Sequence, residues 1–266
     1  MAKIMRRRYY FNTVENKYIK SETIVSTNII EEKEDQKKIV NQENNINNNI
    51  CTINIFEDSS ERTGGSVYYA ATFLCEYLLS IRHEFKHKCV IELGAGTGLC
   101  GLLLYHLKAK QVVLTDCDLE NMKLLNSSKL LQEEGDDNIK NEKILIEYYN
   151  WMVPNEISDT FPTEVDYVIA SDVIYDASTA ETFLNAIQYL CSNKYKSNPP
   201  KIIVSHQPRL SGVDDAFYEK LKDDCNFILN QIEPIHGNPV ANLFELIYDP
   251  TVKKNRKSGS MSCKIM

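Results

Sequence analysis

Apolar residues recur along this chain with two alternating periods, and the alternation predicts an architecture. Short strand-like runs lie at Val90–Leu93, Val112–Leu114, Lys143–Tyr149, Val165–Ser171 and Lys201–Ser205. Between them, apolar residues fall three and four apart, over Leu99–Leu107, Leu119–Leu131, Ala180–Cys191 and Asp214–Cys225. That spacing predicts helices, and Met122, Leu124, Leu125, Leu130 and Leu131 are the expected core face of the second. Strands alternating with helices imply a parallel sheet with right-handed crossovers and helices on both faces. Phe227–Ile232 and Asn242–Tyr248 lack a helical pattern between them, which predicts antiparallel neighbours. The expected fold is α/β, with seven strands, mostly parallel, and the last one antiparallel.

The first 60 residues read as an irregular extension. EEKEDQKK (31–38) and NQENNINNN (41–49) form a polar, low-complexity segment expected to be a flexible insertion. The runs flanking it, Ser21–Ile29 and Cys51–Phe56, are expected to pair as a hairpin. The chain thus divides into an extension (1–60), an α/β domain (61–250) and a basic tail (251–266).

The first strand of the domain carries the most chemistry. Val90, Ile91, Glu92 and Leu93 run directly into Gly94, Ala95, Gly96, Thr97 and Gly98, and a helix pattern follows. Alternate glycines remove side chains where a ligand must lie against the main chain, and the helix start turns N–H groups toward it. Gly96, Gly98 and Gly101 spell G-x-G-x-x-G, but that frame starts two residues too late for a dinucleotide site. The frame from Gly94 puts Leu99 where the third glycine belongs. Glu92 also opposes a pyrophosphate, whereas its carboxylate suits a cofactor with a cationic end, such as an α-amino group or a sulfonium. The pattern points to S-adenosylmethionine ahead of a nicotinamide or flavin dinucleotide. Asp116 closes the second strand about 20 residues after the glycines, placed to accept both ribose hydroxyls. Asp118 is the second candidate for that role but is expected rather to cap the helix that starts at Leu119.

Charge and cysteines narrow the setting. The chain has 266 residues, enough for one α/β domain with appendages, and its 30 basic and 37 acidic side chains leave a formal charge of −7. Residues 1–20 and 251–266 are both basic, so the acid is concentrated in the body. This disfavours a nucleic-acid partner and suits a basic protein substrate. Eight cysteines without a C-x-x-C pair read as reduced thiols in a cytoplasmic protein, and the five histidines form no cluster, so no metal site is expected. No apolar run reaches membrane-spanning length and no signal region is visible, and a monomer is expected.

Taken together, these motifs resemble the family-16 branch of the seven-strand S-adenosylmethionine-dependent methyltransferases, which includes protein lysine methyltransferases. The resemblance runs over roughly residues 50–250, through GGSVYYAATFLCEYL (64–78), ELGAGTGLCG (92–101), LTDCD (114–118), NWMVP (150–154) and ASDVIYD (170–176). Tyr68 stands where the family usually has Trp, and Asn150 where it usually has Asp. The resemblance implies a Rossmann-like class I fold and cofactor contacts from Tyr68, Glu92, Gly94, Ala95, Gly96, Asp116, Trp151 and Ser171, with Trp151 against adenine. It also implies that Asp172 and Tyr175 are catalytic in methylating a lysine side chain of a protein substrate. Asp172 would hydrogen-bond the incoming amine and help its proton leave, and Tyr175 would wall the pocket and offer a ring face to a cation. Methylation of arginine, histidine or a small molecule remains open, as does a non-catalytic adaptor tethered at a membrane. Asp172 could instead cap the following helix, and Arg209 could contact substrate or form a surface ion pair.

The terminal Cys263, Lys264, Ile265 and Met266 fit the C-a-a-X pattern, with Lys253, Lys254, Arg256 and Lys257 just upstream. A prenyl group on Cys263 beside this basic cluster would allow peripheral membrane contact.

Overall fold

The computed structural model describes residues 4–27, 49–60, 62–133, 143–208, 212–224, 226–236 and 241–252. Three strands come first: β1 (Ile4–Asn12), β2 (Lys17–Thr27) and β3 (Ile50–Asp58). The alternating part follows as α1 (Tyr69–Ser80), β4 (Cys89–Leu93), α2 (Leu99–His106), β5 (Gln111–Asp116), α3 (Leu119–Glu133), β6 (Ile144–Tyr148) and β7 (Tyr167–Ser171). It ends with α4 (Ala177–Tyr189), β8 (Lys201–His206), α5 (Val213–Asp224), β9 (Phe227–Ile232) and β10 (Asn242–Tyr248).

β4 to β10 form one seven-stranded sheet in the order β6-β5-β4-β7-β8-β10-β9. The pairs from β6 to β8 are parallel, and β10 runs antiparallel to both β8 and β9, as the missing helix pattern predicted. The order reverses at β4, whose neighbours are β5 on one side and β7 on the other. A crevice at such a switch point, beyond the carboxyl ends of the strands, is where open α/β sheets bind ligands.

Alternate residues of each strand supply opposite faces of the sheet. Val90, Val112, Leu114, Tyr167, Ile169 and Ile203 pack with α1 and α2 in one core. Ile91, Val113, Val168, Ala170, Ile202 and Val204 pack with α4 and α5 in the other. With both faces covered, the strands are apolar at nearly every position, which is why they read as short continuous runs. α3 also backs the N-terminal segment, through Phe56, Leu124 and Leu131. Leu130, expected in that core face, is 61% exposed, because the buried stripe of α3 runs through Leu124, Leu125, Ser128, Leu131 and Gln132 and Leu130 falls outside it.

The expected hairpin does not form. β2 and β3 lie on opposite sides of β1 and are each antiparallel to it, in the order β2-β1-β3. Three consecutive arginines disguised β1. Arg6 and Arg8 are nevertheless buried, Arg8 Nε donates to Asn54 Oδ1 at 3.0 Å, and Arg7 pairs with the buried Glu57 at 3.5 Å. Tyr9 OH donates to the same carboxylate. The small sheet is fastened to the domain where Tyr18 N–H donates to Glu76 of α1 and Phe56 N–H to Ser128 of α3. The polar insertion over 31–48, Arg209, and the tail with Cys263 lie outside the described residues. No described helix is long and apolar enough to cross a membrane.

Candidate active site

The loop after β4 is held by its own main chain. Gly94 and Gly96 have φ of 61° and 54°, in the left-handed region that penalises a Cβ. Ala95 N–H donates to Thr115 O at 2.8 Å, which fastens the loop to β5. A Cβ on Gly96 would stand 2.8 Å from the carbonyl oxygen of Gly64, so this glycine is needed for close approach of two backbones. Gly101 has a packing role instead. A Cβ there would meet Leu114 at 2.2 Å and the Glu92 carboxylate at 2.7 Å, which accounts for the apparent dinucleotide spacing.

Two carboxylates flank this loop. Glu92 is buried, and its Oε2 accepts the Gly101 N–H at 2.8 Å. Burial pushes its carboxyl up to about 8, opposed by the Gly101 hydrogen bond and reinforced by the Asp116 charge. Asp116 ends β5, where its Oδ2 accepts the Gly96 N–H at 3.0 Å and its Oδ1 the Asp118 N–H at 2.9 Å. Burial raises this carboxyl too, against the pull of those donors. Asn121 Nδ2 donates to Asp116 and to Thr63 O, which leaves Asn121 Oδ1 buried and without a hydrogen-bond partner. Asp118 caps α3 as expected, accepting from the N–H groups of Glu120 at 2.7 Å and Asn121 at 3.0 Å.

The opposite wall comes from β7 and the turn after β6. Asp172 immediately follows β7, is 8% exposed, and has φ of 56°, strained for a residue with a Cβ. β8 holds it there. Asp172 N–H donates to Ser205 O at 2.8 Å, and its Oδ1 accepts the Gln207 N–H at 3.3 Å. The cap of α4 is Asp176, whose Oδ1 accepts the Thr179 N–H at 2.7 Å. Trp151 is half-buried, stands edge-on to Phe183 at 5.6 Å, and brings its ring to 3.0 Å from where a Cβ on Gly94 would be. Asn150, the departure from the family's Asp, closes this turn by accepting the Met152 N–H at 3.0 Å. Tyr68 and Tyr175 are 43% and 45% exposed.

These groups enclose one cavity of about 390 Å³. All ten residues picked from the sequence line it: Tyr68, Glu92, Gly94, Ala95, Gly96, Asp116, Trp151, Ser171, Asp172 and Tyr175. Gly64, Asn121, Thr179 and Thr182 line it as well and were not picked. The Gly64–Gly65 pair was a visible signal for the first; a lone Asn on a helix and two threonines offered none. Two carboxylates, an orphaned amide oxygen, an indole and a bare glycine backbone suit a nucleoside with hydroxyl groups and a cationic end. No group of side chains that could hold a metal ion occurs among the described residues.

The sheet order and the place of this cavity define a Rossmann-like class I methyltransferase fold. Within that class, the model of the lysine methyltransferase family matches residues 47–224, and the chain belongs to that family. It is 34% identical over 126 residues to an EEF1A lysine methyltransferase 3 of Xenopus tropicalis, covering 47% of this chain and 51% of that protein. It is 33% identical over 131 residues to the protein N-lysine methyltransferase METTL21A of the same organism, covering 48% and 55%. Against the protein-lysine N-methyltransferase EFM6 of Saccharomyces cerevisiae the identity is 30% over 194 residues, covering 64% and 74%. The matched region thus spans about half the length of the first two relatives.

Proposed function

We propose that this chain transfers the methyl group of S-adenosylmethionine to the side-chain nitrogen of a lysine in a protein substrate. The observation that carries this reading is the convergence on one cavity of the Glu92–Asp116 wall and the buried Asp172. The family membership and the names of its relatives support lysine as the acceptor.

When bound, the cofactor supplies an electrophilic methyl group on a sulfonium. Glu92 answers the cationic end of such a ligand, Asp116 and Asn121 Oδ1 accept from its hydroxyl or amino groups, and the glycine backbone admits it closely. Asp172, fixed by two contacts from the β8 end, accepts a hydrogen bond from the substrate amine and keeps its lone pair in line. Tyr68 and Tyr175 wall the entrance and keep water from the reacting nitrogen.

The test is a cell lysate incubated with tritiated S-adenosylmethionine and the protein, followed by mass-spectrometric mapping of the labelled side chain. Methyl-lysine that disappears with Asp172→Ala supports the reading. Label on arginine, histidine or a small molecule removes the lysine assignment, and calorimetric binding without transfer favours an adaptor.

A further inference from the structure

A second ionisable cluster adjoins Asp172 without lining the cavity. His206, the last residue of β8, has no exposed surface. Its Nε2 is hydrogen-bonded to Asp214 Oδ1, in the first turn of α5, at 2.5 Å. Its Nδ1 lies 4.0 Å from Asp172 Oδ1, is buried, and has no hydrogen-bond partner. An ionised carboxylate can only accept, so Asp214 assigns the ring proton to Nε2 and leaves the Nδ1 lone pair open beside Asp172. Ser205 and Gln207, the neighbours of His206, are the residues that hold Asp172 through its N–H and its Oδ1. Three consecutive residues of β8 and its end therefore serve this one aspartate.

The charged groups facing His206 among the described residues are Asp172 from the β7 end and Asp214 from α5. Its partner across β10 is the uncharged Asn242, and Tyr218 lies close to Asp214. A buried imidazole between two carboxylates, with one nitrogen committed and the other open, is arranged to take up a proton.

We propose that His206 is a positioning residue and proton relay for Asp172, resting on the methyl-transfer reading above. The substrate ammonium gives one proton to the Asp172 carboxylate, which passes it to His206 Nδ1, and Asp214 holds the resulting imidazolium. Nδ1 and Oδ1 close by about 1 Å to hydrogen-bond distance for that step. The freed amine lone pair forms the new C–N bond as the S–CH₃ bond breaks, with its electron pair left on sulfur. The stored proton returns to water as product leaves, so one proton is released per methyl group.

His206→Gln keeps a group for Asp214 and deletes the one facing Asp172; Asp214→Asn keeps the imidazole and removes the charge behind it. With tritiated S-adenosylmethionine and the lysate protein labelled by the unaltered chain, His206→Gln is expected to slow transfer about 10–100-fold near about pH 7. Asp214→Asn should slow it less. Calorimetric cofactor affinity and melting temperature should hold in both. The deficits should shrink to about threefold by about pH 9.5, where much of the lysine is already free amine. A deficit that stays constant with pH, or one matched by lost cofactor affinity, overturns the relay.

Nitrogen-15 NMR of the cofactor-free protein gives an independent readout, with His206 assigned by its absence in His206→Gln. The proton of the neutral ring is expected on Nε2, and its placement on Nδ1 overturns the proposal. Absence of transfer by the unaltered chain overturns the methyl-transfer reading and the relay with it. Transfer by unimpaired variants overturns the relay alone.

Discussion

Between Glu92 and Asp116 the chain builds one wall of the cavity almost unaided, whereas the wall around Asp172 is assembled from the ends of β7 and β8 and the turn that carries Trp151. The first wall is mostly main chain, with left-handed glycines, an N–H from Gly96 to Asp116 and one from Gly101 to Glu92. The second is mostly side chain, and its central acid sits at a strained φ of 56° beside contacts from the end of β8. Main-chain geometry resists drift because each group has a fixed partner one strand away. Side chains at a sheet edge can be exchanged without disturbing the sheet.

Separating the two walls by mutation gives the largest expected effect. Asp172→Ala should lower methyl transfer about 10²–10⁴-fold while calorimetric cofactor affinity stays within about threefold. An equal fall in both would break the distinction.

Next comes the buried acid of the first wall. Glu92 keeps its proton in the fold to about pH 8 but loses it near 4.5 when unfolded. Stability should therefore fall as pH rises from 4.5 to about 8, on the order of 5 kcal/mol, and level off above. Denaturant melts across this range should show the slope, and Glu92→Gln should flatten it. Binding of a cationic ligand end ionises the same group, so cofactor affinity should rise toward pH 8 with proton release. Calorimetry in buffers of different ionisation enthalpy detects that release.

Asp116→Ala should then weaken cofactor binding by about 1.5–3 kcal/mol, with a smaller effect on the rate at saturating cofactor. Gly96→Ala has the smallest expected effect, a stability loss of about 1–2 kcal/mol, because a Cβ at positive φ meets the Gly64 carbonyl. Urea titration measures it, and an unchanged midpoint would mean that the loop yields more readily than its hydrogen bonds imply.

Local patterns exposed much of this molecule. The central strands of the main sheet announced themselves because two covered faces demand continuous apolar runs. The first wall was visible because glycines, an acid and a second acid fall at spacings set by one strand–turn–helix–strand unit. β1 stayed hidden, since a half-buried Arg7 paired to Glu57 and a buried Arg8 paired to Asn54 resemble a solvated basic stretch until their partners are known. Leu130 misled for the opposite reason: its spacing is helical, but no sheet lies opposite it.

By itself, the order of amino acids determined the parallel α/β plan, the glycine loop, Glu92 and Asp116, since each depends on neighbours close along the chain, while the remaining cavity residues came from the resemblance to a known family. Only the tertiary structure decided how the extension folds onto α1 and α3, and that Asp176 rather than Asp172 caps α4. It also decided that His206 and Asp214 stand beside Asp172. Those outcomes depend on which distant groups meet in a space closed to water, where a carboxylate or an imidazole takes its character from the partners it finds.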